Sequence, residues 1–87
     1  MVEVVDVYEG DVPVLSGAVL RQLRVSADGA VTAQIRSPMN ADDPFSDAAA
    51  NGTTLRLRLG DGRAVEFRIY QTAAPAGGWA KLNGRVV

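Results

Sequence analysis

Arg56, Arg58 and Arg68 sit at alternating positions around a Gly60-Asp61-Gly62 turn, with Tyr70 two residues past Arg68 and Trp79 beyond it. Guanidinium groups beside aromatic rings bind phosphates and stack on bases. Arg, Tyr and Trp are also the residues that dominate the energetics of protein interfaces. Arg56, Arg58, Arg68, Tyr70 and Trp79 are therefore the candidate interaction surface. For Trp79 two roles compete: a plug closing a small core, or an exposed anchor for a partner.

Other constellations are weaker. Asn40, Asp42, Asp43 and Asp47 offer hard oxygen ligands of the kind Ca²⁺ or Mg²⁺ takes, but their spacing is not that of an EF-hand loop. Ser16, Ser26, Ser37 and Ser46 have no histidine to activate them, because the chain contains none. Gly60-Asp61-Gly62 is flanked by strand patterns on both sides, whereas a phosphate loop joins a strand to a helix. Cysteine is absent too, which excludes thiol nucleophiles, disulfides and Cys-ligated zinc. What remains for chemistry is carboxylates, hydroxyls, arginines, two tyrosines and the lone Lys81. No enzyme, cofactor or metal site is expected.

The net charge of −1 conceals a segregation. Residues 1–20 carry −4, residues 21–36 carry +2, residues 37–50 carry −3 and the rest carry +4. Those segments either pair with one another or steer a partner. A pI near 5.2 opposes nucleic-acid binding by the whole domain. No apolar run reaches the roughly 20 residues that span a bilayer, and the acidic opening is unlike a signal peptide, so the expectation is a soluble, unprocessed protein without a membrane partner.

These residues must be held by strands. With 87 residues, one small domain is expected. Leu55, Leu57 and Leu59 alternate with Arg56 and Arg58, and Val65, Phe67 and Ile69 alternate with Glu66, Arg68 and Tyr70. A two-residue Asp61-Gly62 turn would put leucines opposite polar residues. A three-residue loop, Gly60 to Gly62, instead pairs Leu57 with Val65, Leu55 with Phe67 and Arg56 with Glu66, leaving Gly62 left-handed. The same construction around Ala27-Asp28-Gly29 pairs Val25 with Val31, Arg24 with Thr32, Leu23 with Ala33 and Gln22 with Gln34.

Asp43 to Gly52 carries helix punctuation and predicts a short helix near 44–50, with Asp43 as cap and Phe45 laid over an open end of the sheet. The Val4-Val5 pair predicts a bulge or a strand buried on both faces. Pro13 confines Val12–Leu15 to an edge or irregular segment, Asn83-Gly84 reads as a turn or bulge, and Val86–Val87 forms a second edge. The expected fold is mainly β: a small single-domain barrel over residues 1–87, OB-like or SH3-like, of about five to six antiparallel strands with that one helix.

The functional expectation is a non-enzymatic structural or protein-interaction module. It would dock to other subunits or to copies of itself, as a small subunit or accessory protein of a larger assembly such as a virion or secretion apparatus. The alternatives are an OB-like binder of single-stranded nucleic acid and a small regulatory or inhibitor protein.

Overall fold

Alternating residues build six strands and one helix: β1 (Val2–Glu9), β2 (Val12–Val25), β3 (Ala30–Arg36), α1 (Phe45–Asn51), β4 (Leu55–Arg58), β5 (Ala64–Gln71) and β6 (Ala80–Val86). The computed structural model describes residues 2–38, 44–72 and 78–87. All pairings are antiparallel, and the strands close into a barrel in the order β1-β2-β3-β6-β5-β4. This is two three-stranded meanders joined at two seams. β3 meets β6 along Ala30–Ile35, and β1 meets β4 only through Val7 opposite Leu57 and Tyr8 opposite Arg56.

Closure removes the edge expected at the C-terminus and leaves the one that Pro13 marks. Val86 lies opposite Val65 inside the barrel wall, whereas Val12, Pro13 and Leu15 pair with β1 alone among the described residues, since β3 joins the 14-residue β2 only from Val19 onward. A closed barrel removes unpaired edges by using both sides of its strands. Asn83 and Gly84 are likewise not a turn. They pair with Arg68 and Phe67 on one side and with Thr32 and Val31 on the other. Gly84 is needed because the strands approach closely there: a Cβ would stand 2.3 Å from the Glu66 carbonyl oxygen.

The loop chemistry holds at both x-Asp-Gly hairpins. Leu55, Arg56 and Leu57 pair with Phe67, Glu66 and Val65, and the Leu59 amide donates to the Arg63 carbonyl at 2.8 Å. In the first hairpin Val25 pairs with Val31 and Arg24 with Thr32, and the Ser26 amide donates to the Ala30 carbonyl at 2.8 Å. Past Arg24 the expected register fails. Gln34 lies opposite Arg21 rather than Gln22, because β2 carries an extra residue between Arg21 and Arg24, with Gln22 left-handed at φ 54°. The bulge lets Leu20 face inward on one side of it and half-buries Leu23 on the other.

The anticipated irregularity at Val4-Val5 is absent: Val5 is buried and Val4 exposed, in ordinary alternation. The extra residues lie across the ladder in β2, where Ser16 Oγ and the Gly17 amide both donate to Asp6 Oδ1, at 3.0 and 3.3 Å.

Val5, Leu20, Ile35, Leu57, Phe67 and Leu82 fill the interior. α1 lies between β3 and β4 as expected and buries Phe45 and Ala48 against the barrel, mainly β5. Its first turn carries Asp47, and Gly52 stops it in a left-handed conformation whose amide donates to the Ala48 carbonyl. Pro44 stands at the cap; Asp43 lies outside the described residues.

Candidate interaction face

Of the five residues singled out in the sequence, Arg56, Arg58, Arg68 and Tyr70 are exposed on the β4–β5 hairpin, each with different neighbours. Arg56, on β4, pairs with Glu66 on β5 at 2.6 Å, so part of its charge is spent within the hairpin. Arg68 donates from Nε to Thr54 Oγ1 at 3.1 Å. Arg58 lines a cleft of about 590 Å³ shared with Tyr8, Asp6 and Asp11 of the β1–β2 hairpin. Opposite charges therefore face one another here. Tyr70 is exposed near the end of β5.

Trp79 belongs elsewhere. It is half-buried, outside the core, and precedes Ala80, which pairs with Ile35. The largest fully buried side chains are Phe45 and Phe67, so the barrel is plugged without the tryptophan. The guanidinium carbons of Arg21 and Arg36 lie 3.8 Å and 4.8 Å from the centroid of its ring, close enough for cation–π attraction. Arg21 Nε also donates to Gln34 Oε1 at 2.7 Å, which fixes the guanidinium on the ring.

Arg21 and Arg36 belong to a larger feature. β2, β3 and β6 are neighbours and contain no Asp or Glu, yet they carry Arg21, Arg24, Arg36, Lys81 and Arg85. Arg85 reaches the Asp28 carbonyl at 3.3 Å. The other four cations form no ion pair with a described carboxylate. The ladder places Lys81, Gln34, Arg21 and Val2 side by side across four strands, and Arg36, Val19 and Val4 in the next row. Val2 and Val4 are 61% and 73% exposed, so apolar surface adjoins the arginines.

The chain was compared with protein-family models, curated proteins and solved structures, and none of them matches it. The face must be read from its own chemistry.

Its signal was present in the sequence as the acid-free run from Val12 to Ala27, with Arg21 and Arg24 in it. What hid the face is the register shift at Gln22, which sets Arg21 beside Gln34. Asn40, Asp42 and Asp43 lie outside the described residues, and Asp47 is exposed on α1. No group of three or more metal-ligating side chains occurs among the described residues. No helix there is long and apolar enough to cross a membrane.

Proposed function

We propose that this barrel is a non-enzymatic protein-interaction module, a small subunit or accessory protein of a larger assembly. The observation that supports this reading is the row of exposed Val2 and Val4 beside Arg21, Arg36 and Trp79. It combines apolar area with the aromatic and guanidinium groups that anchor interfaces. Arg21 is already held by Trp79 and Gln34, so less side-chain freedom is lost on docking.

A photo-crosslinking amino acid placed at Val4, in cells that naturally make the protein, tests the reading. The expected result is a discrete protein adduct at Val4 that is missing when the label sits at Asp61. Absence of any adduct, or a nucleic-acid adduct, overturns it.

A second reading is favoured by one observation. Arg24 and Lys81 line a groove with Tyr70, and together with Arg21 and Arg36 they form no ion pair with a described carboxylate, which resembles the basic groove of a single-strand binder. Against it, Trp79 already has a guanidinium over its ring, and the domain as a whole is acidic. Anisotropy titration with a single-stranded oligonucleotide separates the two. Saturable binding that weakens steeply with salt and is lost in Arg24→Ala/Arg36→Ala favours the second reading.

A further inference from the structure

Glu3 is a carboxylate turned into the barrel. It shares the inward parity of Val5 and Val7 on β1 and pairs across the ladder with the buried Leu20. Its Oε2 is buried without a hydrogen-bond partner, and it forms no ion pair with a described residue. The β4–β5 loop passes beside the other oxygen: a Cβ at Gly60 would stand 3.9 Å from Oε1. An anion desolvated in this way destabilises the fold until a cation reaches it.

Next to that carboxylate, at the bulge of β2, lies a cleft of about 440 Å³ lined by Val2, Glu3, Leu20, Arg21, Gln22 and Leu23. Its volume is that of a site for an organic group rather than a bare ion. No group of three metal-ligating side chains surrounds Glu3 among the described residues. Arg21, the one cation in the lining, does not answer the carboxylate. It pairs with the exposed Val2 on the other face of the ribbon, and its guanidinium is held 3.8 Å from the Trp79 centroid and 2.7 Å from Gln34 Oε1.

The unmet requirement of the cleft is a compact positive charge on an apolar stem. Resting on the interaction-module reading, we infer that the Val2–Leu23 cleft receives a lysine side chain of the partner protein. Its ammonium meets Glu3, and its methylene chain lies along Val2, Leu20 and Leu23. One buried acceptor oxygen suits an ammonium, whereas a guanidinium fork calls for two acceptors side by side. Gln22 brings a carboxamide oxygen for a second N–H.

Amide chemical shifts of the whole chain, titrated with n-butylammonium chloride and separately with n-butanol, test this without any variant. Saturable shifts at Glu3, Leu20 and Leu23 are expected with the ammonium and not with the alcohol. Equal shifts with both, or none with either, overturn the inference. Glu3→Gln keeps the shape of the side chain and is expected to leave the circular dichroism spectrum unchanged while abolishing the response to butylammonium. In cells, the photo-crosslinked adduct at Val4 is expected to fall about tenfold or more in Glu3→Gln. An undiminished adduct overturns this inference alone and leaves the interaction-module reading standing, whereas no adduct with Glu3 intact overturns both.

Discussion

The guanidinium of Arg21, in the middle of β2, stacks on Trp79 just ahead of β6, 3.8 Å from the ring centroid. β3 lies between those strands, so the contact bridges two of its neighbours across the outside of the barrel. Trp79 is the sole tryptophan, which makes the contact directly readable. Arg21→Ala is expected to shift Trp79 emission to the red and to lower urea stability by about 0.5–1 kcal/mol. Arg36→Ala, from 4.8 Å, should do less to both. Unchanged emission in Arg21→Ala would show that the stack does not persist in solution.

Gly84 sits where β6 runs close against β5. An added methyl group would meet the Glu66 carbonyl oxygen at 2.3 Å and Phe67 Cβ at 2.8 Å, and both neighbours are fixed in the ladder. Gly84→Ala is expected to cost about 1–3 kcal/mol, measured by urea denaturation. A change within error would mean that the two strands separate more easily than their pairing implies.

Gln22 is the one described non-glycine residue with positive φ. A left-handed conformation costs an L-residue with a side chain about 1–2 kcal/mol, which glycine avoids, although glycine has more freedom to lose on folding. Gln22→Gly is therefore expected to be neutral or to raise stability by up to about 1 kcal/mol, and Gln22→Val to lower it. Thermal melts of the two variants check the order, and the reverse order would remove the bulge as the cause of the register shift.

Both x-Asp-Gly loops hold their aspartate in the charged form. Asp28 accepts hydrogen bonds from the Ser26 hydroxyl and from the Ala30 amide, and these hold its carboxyl below the ordinary range. Asp61 is lowered by the Arg63 amide at 3.0 Å and by the Arg63 guanidinium at 2.6 Å. A carboxyl lowered in the folded state contributes stability above its unfolded pKa and loses it as pH falls through the folded value. Stability should thus be flat from neutral pH to about 4 and decline below it. Asp28→Asn/Asp61→Asn should flatten that decline in urea midpoints taken down to about pH 3, and an unaltered slope would assign it to other carboxyls.

The β4–β5 hairpin was fully legible in the sequence because only one loop length kept Leu55, Leu57, Val65 and Phe67 on one face. The β2–β3 hairpin was legible as far as Arg24 and no further. Turn chemistry announces itself through Gly29, whereas the bulge rests on a left-handed glutamine that nothing in the sequence marks. The surroundings of Trp79 were not legible for the same reason. Arg56, Arg58 and Arg68 were read from a regular hairpin, but the stacked arginines of Trp79 needed the shifted register of β2 and the order of strands around the barrel. Strand order depends on pairings between distant segments, and a local pattern does not carry it. The helix was legible through Pro44, Phe45 and Gly52, since capping is a local matter.

The two seams of the barrel differ in how they would form and open. Hairpin neighbours find each other along short connections, whereas the β3–β6 and β1–β4 seams close only after long stretches of chain have been brought together, an entropy cost that native contacts must outweigh. The β3–β6 seam repays it over six residue pairs, and the β1–β4 seam over two. The second is then the last stave fitted and the first to spring. Amide protons of Tyr8 and Arg56, which alternation along the strands turns towards that seam, should exchange through the local opening well before those of Ala33 or Leu82, leaving a molecule that briefly exists as an unrolled sheet.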